Sequence, residues 1–360
     1  MKKLMMILLL VFSVLSIHSA QASPAVADQA SSATSERKSI AVFTTREQDD
    51  MFWGLVYGLM EQACDQLGMR CVHYYAQNSH IRMEHQAKEA IESGFDAIVV
   101  PNFKKRLPVI VKMANEAKVP IFTFNSGFLP DDNMGSPREK YKYWIGEMLP
   151  DDSGAGYQLA EILTKQAKKI HSGVNMVALL GNIADMASIQ RQIGLVRYLE
   201  DHPEVELKQI VYANWSPDMA AAKASRLNYR YPDINVFWSA SDGMAIGVLH
   251  ALGKKEFITG GVDWSVEGID MVKSNPKMIA TMGGHILEGA WVAVILYDYF
   301  HGKDFADETL QFRSPMMAIT KQNVDEMKNK LARRNWKNID FTSYSKVKNP
   351  SIKKYDFTLK

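Results

Sequence analysis

Asp49 and Asp50 are followed almost at once by Phe52 and Trp53 in the stretch REQDDMFWGL, residues 46–55. Carboxylates accept hydrogen bonds from hydroxyl groups, and flat aromatic faces pack on apolar C–H faces, so the combination suits an uncharged ring bearing hydroxyls. Neighbouring helical positions point about 100° apart, so Phe52 and Trp53 cannot both serve one core and at least one is expected at a ligand. Gln48 and Asp50 are expected to meet hydroxyls, and Trp215 to add a second stacking surface. Asn125, Arg191, Ser241 and Asp263 complete the candidate set, with Arg191 able to donate two parallel bonds to adjacent oxygens. Taken singly, Asp50, Asn125 and Ser241 also fit plainer roles as helix caps or turn formers. Asp131-Asp132 and Asp151-Asp152 read as solvated turn and N-cap pairs.

Catalysis has less support. Asp50 and Asp263 could act as acid and base if held roughly 5 to 10 Å apart around a scissile bond. The chain has no glycine-rich phosphate fingerprint, GxxxxGK[ST], GxSxG or HExxH, and no histidine pair at metal spacing. A binding protein without cofactor or metal is therefore expected, rather than an enzyme.

These residues fall where apolar runs end. IAVFTT (40–45), RCVHYYA (70–76), DAIVVP (96–101) and PIFTFNS (120–126) read as strands. Helical periods separate them around 52–67, 81–94 and 107–118. A turn-rich stretch at 129–144 interrupts the rhythm, which then restarts with VNMVALLG (174–181), LKQIVYAN (207–214), NVFWSAS (235–241), FITGGVD (257–263) and MIATMGG (278–284), each preceded by a helical segment. Alternating strands and helices imply right-handed crossovers and parallel sheets covered on both faces. The fold class is therefore α/β, with two doubly wound parallel-sheet lobes. Ligands of open α/β sheets bind beyond the carboxyl ends of the strands, and the candidate residues lie at those ends.

The chain has 360 residues, 47% hydrophobic, with a formal net charge of +2, which leaves no electrostatic footprint for nucleic acid. Met1-Lys2-Lys3, an apolar stretch from Leu4 to Leu15 and Ala20-Gln21-Ala22 read as a cleaved signal peptide over 1–22, followed by a disordered leader over 23–38. The mature protein is then expected in the periplasm. Cys64 and Cys71 either pair across the intervening turn or are buried separately.

The motifs VFTTREQDDMFWGLVYGLMEQACDQLGM, FDAIVVPNF, MANEAKVPIFTFNSG, RQIGL, VFWSASDGMAIGVLHAL and GGVDWS, in this order and spacing, resemble the type I periplasmic binding proteins of the ribose and galactose class. The resemblance runs from Lys38 to about Ala318. Within that class, Gln48-x-x-x-Phe52-Trp53 and the tail VDEMKNKLARRNWKNIDFTSYSK are similar to the autoinducer-2 receptors. Those receptors use two arginines; here Arg191 stands for one, and Met282-Gly283-Gly284-His285 occupies the place of the other.

The resemblance implies a three-segment hinge near Ile145–Met148, Met282–Gly284 and Phe312–Pro315. The lobes would then comprise 39–145 plus 283–312, and 146–282 plus 313–360, with the C-terminal tail on the second lobe. His285, near a hinge, could enter the cleft. The implied function is closure on a small sugar-like ligand and delivery to the membrane permease of an ABC transporter. The alternative is a receptor of the autoinducer-2 type that signals through a membrane sensor protein. In either case the chain is expected to act as a monomer.

Overall fold

A computed structural model of the chain describes residues 37–359, so the expected signal peptide and nearly all of the leader lie outside the described residues. The leader's last two residues are part of the fold, contrary to expectation. The Arg37 guanidinium donates to the carbonyls of Gly68 and Met69, and Lys38 Nζ donates to Asp96 at 2.6 Å.

The chain runs β1 (Ser39–Thr44), α1 (Trp53–Leu67), β2 (Arg70–Tyr75), α2 (His80–Glu92), β3 (Ala97–Val100), α3 (Leu107–Glu116), β4 (Ile121–Phe124) and β5 (Trp144–Pro150). It continues with α4 (Asp152–Ala167), β6 (Val174–Leu180), α5 (Met186–Asp201), β7 (Val205–Tyr212), α6 (Pro217–Arg230), β8 (Val236–Ser239), α7 (Asp242–Leu252), β9 (Ile258–Val262), α8 (Val266–Ser274) and β10 (Met278–Gly283). Last come α9 (Glu288–Phe300), β11 (Gln311–Ser314), β12 (Met317–Thr320) and α10 (Val324–Leu331).

Two six-stranded sheets result. The first has the order β2-β1-β3-β4-β5-β11 and is parallel throughout. The second has the order β7-β6-β8-β9-β10-β12, with only β12 antiparallel to its neighbour. Helices cover both faces, which is why β1, β3, β4, β8 and β9 are buried along their whole length and read as continuous apolar runs rather than alternating ones. In each sheet the winding reverses beside the first strand in the chain, and a crevice opens at the carboxyl ends there.

The chain passes between the sheets after β5, after β10 and between β11 and β12. β5 stays in the first sheet as far as Pro150, so the first passage falls a few residues later than expected. After the second passage α9 returns to pack on α1. The run from Gly289 to Asp298 is buried because this helix is covered by α1, by β4 and β5, and by the C-terminal tail.

The tail departs from expectation. α10 packs on α8 and β12, as expected for the second lobe, but the chain then crosses back to α1 and α9 of the first. Trp336 sits on Gly58, where an added Cβ would come within 2.7 Å of the indole. Tyr344, Phe341 and Phe357 surround Trp291. The Asp298 carboxylate, buried in the middle of this contact, accepts from Ser345 Oγ (2.5 Å), Lys346 N (2.7 Å), Val347 N (3.2 Å) and Tyr355 OH (2.9 Å). The physical reason is the apolar outer face of α9, which the aromatic tail covers.

Cys64 and Cys71 form a disulfide, with Cα atoms 6.2 Å apart, that fastens the end of α1 to the start of β2. Among the described residues no helix is long and apolar enough to cross a membrane.

Candidate functional site

The strand ends at the crevice carry unusual backbone. Asn125 after β4, Asn214 and Trp215 after β7, and Asp263 and Trp264 after β9 all have positive φ, from 50° for Asn214 to 142° for Asp263. Non-glycine residues seldom adopt this region, and when they do the strain often marks a place where side chains must be aimed. Gly181 makes the turn after β7 possible, since a Cβ there would meet the Trp215 indole at 2.1 Å.

Arg191, on α5, is the centre of the site and only 3% exposed. Its Nε donates to Asp152 at 2.7 Å and its Nη1 to the Ala240 carbonyl at 2.6 Å and to Asp263 at 3.5 Å. Nη2 lies 3.3 Å from His285 Nε2, and the Trp215 ring centroid is 5.6 Å from the guanidinium carbon. The fork is thus largely engaged by the protein itself. Asp151 and Asp152 have different roles: Asp151 caps α4 by accepting from Gly154 N, whereas Asp152 is buried against Arg191 and is not the solvated residue expected. Burial pushes the Asp152 carboxyl up and Arg191 pulls it down, and at 2.7 Å the pair is ionic.

Asp263 is pushed up to about 7, first by burial and also by Asp50 across the crevice, against the pull of Arg191. Asp242, at the start of α7, reaches about 7 as well, through burial and the nearby Asp263. It braces the second lobe by accepting from Ser265 N, Ser265 Oγ and Thr281 Oγ1.

From the first lobe, Phe52 is half-buried with its ring centroid 4.7 Å from that of His285, while Trp53 turns inward to pack edge-on against Phe124. The two aromatics therefore part as the helical geometry requires, and Phe52 is the one at the crevice. Asp50 accepts from Phe52 N (3.0 Å) and Trp53 N (2.9 Å), the capping role, and its charge also acts on Asp263. Gln48 is exposed in the turn before it. Asn125 Nδ2 donates to Glu288 at 3.2 Å. Ser241 Oγ accepts from Met244 N and so caps α7, a local duty its sequence position also allowed. Trp215 Nε1 donates to Asp185 at 2.7 Å.

A cavity of about 370 Å³ adjoins these groups at the hinge side, lined among others by Asn125, Phe128, Trp144, Glu147, Asp152 and Gln190. Its volume lies in the range of small-molecule sites. Among the described residues no cluster of His, Cys, Asp and Glu is arranged to hold a metal ion.

The sequence pattern of the periplasmic binding protein domain family matches residues 40–304. The chain belongs to that family. It is 25% identical over 254 residues to the ribose import binding protein RbsB of Salmonella typhimurium, covering 68% of this chain and 79% of that one. Against the Bacillus subtilis RbsB it is 22% identical over 284 residues, 78% and 87% of the two chains. A periplasmic sugar-binding protein from Pseudomonas fluorescens superposes with a TM-score of 0.80 at 27% identity, covering 89% of this chain and 98% of that chain. The fold and these relatives make the chain a type I periplasmic binding protein of the ribose and galactose class.

In this periplasmic binding protein the groups that the sequence did not single out are Asp152, Asp242 and Glu288. Glu288 lies at the edge of an apolar run and reads as its polar border, yet it is fully buried. Burial raises its carboxyl well above the usual range, and it bonds to Asn125 and, at 2.5 Å, to Ser314. It thereby ties β4, the start of α9 and the end of β11 together at the hinge.

Proposed function

We propose that this periplasmic binding protein captures an uncharged, polyhydroxylated ligand, a monosaccharide or cyclitol, between its lobes and delivers it to the permease of an ABC importer. The observation that carries this reading is the engagement of Arg191: two carboxylates and a carbonyl already occupy most of its donors, so no free cationic fork remains for a carboxylate or phosphate. Phe52 offers an apolar face, and Asp50, Asp263 and Asn125 offer polar groups beside it, the pattern that pyranose and furanose rings need. The names of relatives agree in kind: ribose for RbsB, and myo-inositol and D-allose for two solved solute-binding proteins of this fold.

The protein would be exported by its N-terminal signal, act as a monomer in the periplasm and present the closed form, because a partner touching both lobes senses ligand through their changed relation. A second reading, a receptor that signals through a membrane sensor protein, has the long C-terminal tail in its favour. A permease or a sensor kinase encoded beside this chain discriminates the two.

A thermal-shift series on the mature chain tests the ligand class. D-Ribose, D-allose, myo-inositol and autoinducer-2 are compared with ribose 5-phosphate. A true ligand at 100 times its Kd stabilises by about 2.7 kcal/mol. Stabilisation by the phosphate alone would overturn the reading.

A further inference from the structure

The cavity of about 370 Å³ on the hinge side is a chamber of its own: Phe52, Trp215 and His285 lie outside its walls, while Asn125 and Asp152 are shared with the crevice. A single ring held against Phe52 would leave this space, which is within the size range of small-molecule sites, unfilled.

The walls repeat the chemistry of the crevice. Phe128 is half-buried and set edge-on to Trp144, with ring centroids 4.9 Å apart and planes at 74°. The indole N–H of Trp144 already donates to Thr123 Oγ1 at 3.1 Å, so this aromatic corner makes no polar demand. Glu147, on β5, is 4% exposed, and its Oε1 accepts from Gln311 Nε2 at 3.0 Å and from Arg313 Nη1 at 3.4 Å. Its Oε2 accepts from no group among the described residues, which leaves a nearly buried carboxylate oxygen without a donor in the wall of the chamber. Buried polar atoms are seldom left so.

Gln190 comes from the other lobe. It precedes Arg191 on α5, so the two side chains point about 100° apart; Arg191 turns to Asp152 and Gln190 to the chamber. The Gln190 amide bonds, among the described residues, to the Met186 sulfur alone, a weak acceptor 3.5 Å from Nε2.

We propose that the chamber is a second sugar subsite, so that the protein takes a disaccharide or similar glycoside whose first ring lies in the crevice and whose second, hydroxylated unit lies against Phe128 with hydroxyls on Glu147 and Gln190. This rests on the sugar-capturing reading given above and enlarges the ligand it names. Among the walls Glu147, Asp151 and Asp152 outnumber Arg313, which disfavours an anionic second unit such as a sugar phosphate or a uronic acid. Glu147 belongs to the first lobe and Gln190 to the second, so the second unit makes both bonds only in the closed form.

The test is calorimetry on the mature full chain. D-Glucose, D-galactose, D-ribose, D-allose and myo-inositol are compared with maltose, lactose and melibiose. At least one disaccharide is expected to bind about tenfold more tightly than either of its component monosaccharides. Gln311→Trp, at an exposed residue lining the chamber, fills the space and is expected to abolish that advantage while leaving monosaccharide affinity unchanged. Glu147→Gln is expected to weaken the disaccharide about tenfold. If a monosaccharide or cyclitol binds and no disaccharide binds more tightly than its components, this inference alone is overturned. Absence of heat from every sugar overturns it together with the sugar-capturing reading. A disaccharide whose advantage survives Gln311→Trp has its second ring outside the chamber, and that result also overturns the assignment.

Discussion

Arg191 Nε and Asp152 Oδ1 meet at 2.7 Å with both side chains about one-twentieth exposed, joining α5 to the helix that begins the second lobe. Removing one member of a buried pair leaves the other uncompensated, at a typical cost of about 3 to 5 kcal/mol. Arg191→Met is therefore expected to lower stability by about that amount in urea unfolding, and adding Asp152→Asn to recover roughly half of it. If Arg191→Met unfolds at the parent's urea midpoint, the pair is not what holds α4 and α5 together.

Phe52 and Trp53 are expected to separate function from folding. Phe52→Ala leaves stability nearly unchanged and weakens binding of the sugar identified in the thermal-shift series about tenfold. Trp53→Ala, which empties space beside Phe124, costs about 3 to 5 kcal/mol of stability. Calorimetry and urea unfolding of the two variants decide this, and exchanged phenotypes would mean that the faces of α1 have been assigned the wrong way round.

Acid should weaken the protein partly through histidine. Burial lowers His73, stacked on Tyr57 at 3.8 Å, from 6.5 to about 4, and His285 falls to about 3. The folded state holds both rings neutral, so the stability present above pH 6.5 is lost as pH falls from 6.5 towards those values. Asp242 and Asp263, a buried pair raised by desolvation, act in the opposite sense: their contribution is greatest below pH 3.8 and declines as pH rises above it. The difference between the parent and His73→Asn isolates the histidine part. Between pH 6.5 and 5 the urea midpoint of the parent should fall more steeply, and equal slopes would refute the assignment to His73.

The Cys64–Cys71 bridge closes a short loop, and by chain entropy its removal should cost about 2 to 3 kcal/mol. Cys64→Ala with Cys71→Ala is the test, measured by urea unfolding under non-reducing conditions. An unchanged midpoint would mean that α1 and β2 are held in register without it.

Much of the strand and helix rhythm was legible because nine of the twelve strands leave an apolar mark that the sequence reading recognised, whereas β5, beside the turn-rich stretch, and the short, half-exposed β11 and β12 escaped it; the position of Phe52, Asn125, Trp215 and Asp263 near strand ends follows from that rhythm, and Arg191 reaches the same crevice from within α5. Buried charge was not legible. Asp151 and Asp152 are adjacent and chemically alike, yet a rotation of about 100° sends one to a helix cap and the other to Arg191. Glu288 and Asp298 look like the polar borders of an apolar helix, and both are enclosed by elements distant in the chain. The destination of the tail was equally hidden, because its aromatic residues state only that they need cover and not which lobe supplies it.

That tail sets a ceiling on how widely the cleft can gape. Leu331 ends the helix seated on the second lobe, and Trp336 is lodged on Gly58 of the first, with its Nε1 bonded back to the Leu331 carbonyl at 2.9 Å. Five residue steps, even fully drawn out, reach only about 17 Å. A solute entering this protein thus meets a mouth on a short leash, and any wider yawn must first pull the indole of Trp336 from its seat.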